Sequence, residues 1–169
     1  MKNLGLAFAL GLISQASWAG TAQIDLAQIV KRNPQTEAYC ESDPSIPYCG
    51  MSFKKAEEYC ASQNAALPSV RDFISYAVTR GAKGMVPDFA SGSRNFTRTL
   101  NIRDSNDNFV EEILYDISGY RDPLGVQNRI SLWTKDFSMT EVAYFYSANH
   151  GEFGAFTLPG QFAVICLPL

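Results

Sequence analysis

The chain has 169 residues, 46% hydrophobic and 18% charged, with a formal net charge of −3. That is enough apolar material for one domain with a real core. A weakly acidic chain with scattered Arg and Lys lacks the electrostatic footprint of a nucleic-acid binder, and four irregularly spaced cysteines with a single histidine fit a zinc centre poorly.

Residues 1–19 read as a secretory signal. Lys2 precedes an apolar run from Leu4 to Ile13, and Ser17 and Ala19 place small residues where a signal peptidase inspects the chain. The run is shorter than the roughly 20 residues a membrane-spanning helix needs, and no cysteine follows it to carry a lipid anchor. Its removal leaves about 150 residues with a formal charge of −4. These would enter an oxidising compartment, secreted or periplasmic, with no further membrane span and no polybasic stretch to hold a membrane surface. Residues 20–38 form a lead-in. There Leu26, Ile29 and Val30 have helical spacing and Pro34 marks a stop, but an edge strand fits equally well.

The domain proper runs over 39–169. Between Cys40 and Cys49, Pro44 and Pro47 favour a tight reversal that brings the two cysteines together. A helix is predicted over 53–63: Phe53, Ala56, Tyr59 and Cys60 share one face, and Lys54, Lys55, Glu57 and Glu58 cover the other. Ser69 caps a second helix, with Asp72 at the third position of a capping box. Val70, Phe73, Ile74, Ala77 and Val78 follow at helical spacing, and Gly81 supplies the left-handed stop. Residues 82–95 read as a loop. Short β-like runs follow at 96–103, 109–117, 130–133, 142–147 and 162–167, and Ile113, Tyr115 and Ile117 alternate as in a half-buried strand. Helices first and strands afterwards predict an α+β domain.

These features in this order resemble the C-type lectin-like family, in its compact bacterial branches. The resemblance rests on the helix carrying Cys60, the link Ala66-Leu-Pro-Ser-Val-Arg-Asp72, and then Leu132-Trp-Thr134, Ala143-Tyr-Phe-Tyr146, Gly151 and Val164-Ile-Cys166. It covers about 40–169, and order and spacing carry it, since each motif is short. It implies two N-terminal helices packed on short antiparallel strands, with the first helix stapled to the last strand. The staple is then Cys60 with Cys166, the pair also left, among the three pairings four cysteines allow, once Cys40 joins Cys49. The function it implies is binding of a surface carbohydrate or protein, in an adhesive or envelope-recognition role in a bacterium, with no catalysis. A structural or assembly component of the envelope is the alternative. Formylglycine-generating enzymes use a related fold, but they work through reactive cysteines, and those here occupy staple positions.

Many family members hold sugar through calcium, using a Glu-Pro-Asn or Gln-Pro-Asp loop and a later Trp-Asn-Asp. This chain has neither, and Thr-Lys-Asp follows Trp133. The remaining oxygen-rich candidate is Asp104, Asn106, Asp107 and Asn108. It begins like an EF-hand loop but has Phe109 in place of the turn glycine and Tyr115 in place of the bidentate glutamate, so a plain polar turn competes with a calcium site. Tyr144 and Tyr146 share one face of their strand and Phe145 the other; exposed rings there would stack on sugars or anchor a protein. Asn149, His150 and Glu152 lie in a glycine-containing loop beside that strand. A His–Glu pair can do acid–base chemistry, but no nucleophile or oxyanion hole accompanies it. The expected ligand surface is therefore the loops 82–95, 118–129 and 148–160, with Tyr144, Tyr146, Asn149, His150 and Glu152 as contact residues.

Overall fold

In the computed structural model, residues 23–121 and 130–169 are described, so the expected signal at 1–19 and most of the expected loop 118–129 lie outside the described residues. Helices α1 (Phe53–Ser62) and α2 (Val70–Thr79) precede most of the strands. The strands are β1 (Ala65–Ala66), β2 (Gly84–Met85), β3 (Thr97–Arg103), β4 (Phe109–Asp116), β5 (Ser131–Met139), β6 (Val142–Ser147), β7 (Glu152–Thr157) and β8 (Leu167–Pro168). Six of them form one sheet in the order β2-β4-β3-β5-β6-β7, and β1 pairs with β8 in a separate two-stranded ribbon. Every strand pair is antiparallel. The domain is α+β with two disulfides, Cys40–Cys49 and Cys60–Cys166. Among the described residues no helix is long and apolar enough to cross a membrane.

Both helices form where the apolar spacing places them. On α1, Phe53, Ala56 and Cys60 are buried. On α2 the Ser69 side chain accepts from the Asp72 N–H and the Asp72 carboxylate accepts from the Ser69 N–H, a complete capping box. Val78 departs from the expected stripe and is exposed, while Tyr76 is buried in its place.

Along β5 and β6 the sheet is covered on both faces. Leu132, Tyr144 and Tyr146 join the α2 residues Val70, Phe73, Ile74 and Tyr76 in one core. Trp133 and Ala143 join Phe53, Ala56, Cys60 and Val164 in a second, against which Phe145 packs. Phe73 stacks on Tyr146 at 4.7 Å, and Phe53 meets Trp133 edge to face at 5.5 Å. Trp133 also donates its indole N–H to the Met51 carbonyl at 2.9 Å, so its burial leaves no polar group unpaired.

Three expectations need correction. The lead-in is neither helix nor edge strand. It makes a short 3-10 turn, Leu26–Gln28, and a bridge from Lys31 to Tyr48, while Ile24 and Ile29 enter the α2-side core. The run 162–167 is not one strand. Phe162 bridges Met51, Ala163 bridges Leu132 and the Val164 carbonyl accepts from Val30, so its main chain is shared among several partners; regular pairing begins at Leu167. Inside the expected loop 148–160 lies β7, paired along its whole length with β6.

Candidate functional site

Two neighbouring residues at the end of β4 gather the loops. Side chains alternate along a strand, so Tyr115 and Asp116 leave it on opposite faces. Tyr115 is buried and donates its hydroxyl to the Gly151 carbonyl at 2.7 Å, which ties down the turn between β6 and β7. Asp116 is also fully buried. It accepts from the Ser93 N–H at 2.7 Å and the Ser118 N–H at 2.8 Å, and Lys83 Nζ lies 3.8 Å from it. Burial alone would raise the Asp116 carboxyl, but the two backbone N–H donors and Lys83 outweigh it and hold the group below its ordinary value of 3.8.

The loop after β4 is clamped further. Gly81 and Gly119 both have positive φ, and a Cβ on either would come within 2.6 Å of the other's carbonyl oxygen, so the two main chains touch as only glycine permits. The Arg121 N–H donates to the Arg80 carbonyl at 2.8 Å, and the Tyr120 hydroxyl donates to the Ala148 carbonyl at 2.6 Å. Loops 82–95, 118–121 and 148–151 therefore converge on one end of the sheet. The β1–β8 ribbon lies away from them: the 162–168 segment runs parallel to β5, from Ala163 beside Leu132 toward the far end of that strand.

The expected contact residues divide. Tyr144 and Tyr146 are 8% and 0% exposed, so the tyrosine face of β6 is its core face and neither ring is available to a ligand. The Tyr144 hydroxyl instead serves the sheet. Strands β3 and β5 pair only at Arg103 and Phe137. Where they part, this hydroxyl accepts from the Asn101 N–H at 3.0 Å and donates to the Asn101 carbonyl at 3.2 Å, standing in for a neighbouring strand. The Tyr146 hydroxyl is buried without a well-formed hydrogen bond, and desolvation, then the neighbouring Tyr120 phenol, push it far above its ordinary range.

Asn149, His150 and Glu152 do lie at the loop end. Asn149 accepts from the Ser147 hydroxyl at 2.7 Å, His150 is exposed, and Glu152 pairs with Arg98 at 3.3 Å. At the opposite end of β4, Asp104 to Asn108 form the hairpin turn. Asp104 accepts from the Asn106 and Asn108 N–H groups at 2.8 and 2.9 Å and from the Asn108 side-chain amide at 2.9 Å. These bonds, the Asn108 side-chain amide first, hold its carboxyl below the usual value. Asp107 has φ of 67°, as the turn requires. All three donors come from within the turn itself, an arrangement an Asp-Asn turn makes unaided.

The hub residues Tyr115, Asp116 and Tyr120 escape a sequence reading aimed at exposed chemistry. The available signal is Asp116 itself, a carboxylate between Tyr115 and Ile117 in an otherwise apolar alternation, just before Ser118 and Gly119. No family model, curated protein or solved structure matches the chain.

Proposed function

We propose that this chain is an exported binding module on a C-type lectin-like scaffold, recognising a surface carbohydrate or protein through its loop end. One observation supports this best: three irregular loops, distant in sequence, are fixed side by side at one end of the sheet by buried donors and acceptors. Loops held in place by a rigid core present a surface with little ordering cost on binding. The disulfide from α1 to the C-terminal segment, and the β1–β8 ribbon beside it, agree with the stapling that scaffold implies. Both disulfides suit an oxidising compartment, secreted or periplasmic.

The contact set becomes Asn149, His150 and Glu152 together with the exposed members of 82–95, and Tyr144 and Tyr146 become its supports. A glycan array probed with residues 20–169, with calcium and again with chelator, tests the reading. Reproducible binding to a defined glycan is the expected result, and loss under chelator would return Asp104 to Asn108 to the site as a calcium loop. No glycan binding in either buffer, with a stable envelope protein recovered by cross-linking instead, would replace recognition by a structural role.

A further inference from the structure

The charge at the loop end runs against that of the chain. Among the described residues, Arg80, Lys83, Arg94, Arg98 and Arg121 stand around the Asp116 hub and are opposed by Asp88, Asp116 and Glu152, in a protein whose formal charge is −3. Direct contacts bring these groups together: Lys83 and Ser93 to Asp116, Arg121 to Arg80, and Arg98 to Glu152, with Arg94 directly after Ser93. Two of the three acids are already engaged, since Asp116 is fully buried and Glu152 is held by Arg98. Arg94 and Arg121 are exposed, as are Asn95 and the rings of Phe89 and Phe96 in the same stretch. The acidic surplus lies elsewhere, along the β3–β4 hairpin, where Asp104, Asp107, Glu111 and Glu112 outnumber Arg103.

Resting on the binding-module reading above, we infer that the loop end takes an anionic polysaccharide carrying carboxylate or sulfate groups. Guanidinium forks match such groups with paired hydrogen bonds, and exposed rings beside them can cover sugar faces. The patch is too weakly basic for the other polyanions. Nucleic acid calls for many phosphate contacts, and an anionic membrane surface for a cluster of about four to eight basic residues, whereas Lys83 and Arg98 are already paired with Asp116 and Glu152, which brings the patch below that range. Five basic groups interleaved with acids and amides suit a polymer of moderate charge density.

Biolayer interferometry on residues 20–169 decides it, with immobilised alginate for carboxylate, dextran sulfate for sulfate and neutral dextran as reference. The expected result is retention on one or both anionic polymers and not on dextran, weakened on going from about 50 to about 300 mM NaCl. The Arg94→Ala/Arg121→Ala double variant, with an unchanged melting temperature, should lose about tenfold in affinity. Lys54→Ala, at a side chain 85% exposed on α1, should lose nothing. Equal loss in both variants, or no loss in either, would overturn the assignment. Tighter binding to a single-stranded oligonucleotide or to phosphatidylglycerol vesicles would move the patch to another ligand class. A neutral glycan bound through these loops would sink the anionic class and leave the binding-module reading standing.

Discussion

The closed end of this molecule and its loop end are held by different forces. At the closed end, α1 is bonded to the C-terminal segment through Cys60–Cys166, and Phe53, Trp133 and Phe162 meet edge to face over it. At the loop end the work passes to hydrogen bonds from buried side chains to main chain, made by Tyr115, Asp116 and Tyr120. Covalent closure and dry aromatic packing act on the fold as a whole and resist unfolding. Directed polar bonds fix loop geometry while leaving the outward groups of those loops available to solvent. The difference predicts that damage at the closed end appears as lost global stability, and damage at the loop end as lost local order.

Removing the long-range staple should cost most. The Cys60→Ala/Cys166→Ala variant frees a loop with a sequence separation of 106 residues, which chain entropy values at about 4–5 kcal/mol. The same change at Cys40 and Cys49, separated by 9 residues, should cost about 2–3 kcal/mol. Trp133→Ala should cost about 3–5 kcal/mol, since it empties the centre of the α1-side core and leaves the Met51 carbonyl without its donor. Urea unfolding measures all three, and equal losses for the two disulfides would remove loop length as the reason for the difference.

Asp116 tests the other end. Asp116→Ala leaves the Ser93 and Ser118 N–H groups unpaired, a cost of about 2–3 kcal/mol. Hydrogen exchange should quicken in 83–95 and 118–121 and stay slow in β5 and β6. The group is also linked to pH. Its folded pKa lies below 3.8, so its contribution is fully present above that value and is lost as pH falls through the folded pKa. The urea midpoint should therefore drop in acid, and less so in Asp116→Asn. Uniformly faster exchange across the sheet would mean that Asp116 supports the core and not the loops.

The two ends were unequally legible in sequence. At the closed end local rules suffice: the Ser69–Asp72 box, the face of α1 shared by Phe53, Ala56 and Cys60, and the Pro44 and Pro47 reversal each depend on nearby residues. Strand β6 lies at the predicted 142–147 because its alternation is strong. Alternation could show that Tyr144 and Tyr146 share a face, but not which face is dry, because β6 is packed on both sides: the tyrosines enter one core and Phe145 packs against the other. Strand β7 was hidden by Gly154, which reads as a turn; in the fold a Cβ there would lie 2.4 Å from the Phe145 ring, so the glycine marks close packing. The loop hub depends on contacts between residues far apart, such as Tyr115 with Gly151, which no local pattern encodes.

Between the two ends, Tyr144→Phe should cost about 1–2 kcal/mol, because it removes the hydroxyl that serves both main-chain groups of Asn101. Exchange of the Asn101 amide should quicken more than that of its neighbours in β3, and an unchanged rate would show that the parted strands need no such bridge.

The smallest effect belongs to Asp136, where β5 bulges between Trp133 and Phe137. Its carboxylate accepts from the Val70 N–H at 2.6 Å, completing the cap of α2 that Ser69 and Asp72 begin. Burial raises its pKa above 3.8; the Val70 N–H opposes this, and Glu111 and Asp72 add to it. Folding therefore favours the protonated acid. Stability from this group is greatest below 3.8 and is lost as pH rises through the raised folded value, the reverse of Asp116. Asp136→Asn keeps an acceptor for Val70 and removes the ionisation, so it should gain less than about 1 kcal/mol at neutral pH and nothing in acid. Asp136→Ala should lose about 1 kcal/mol in acid, because the Val70 donor is then left open, and less at neutral pH, where the ionised carboxylate already costs stability. A loss in the Asn variant at pH 7 would mean that the ionised carboxylate stabilises α2 by more than its burial costs.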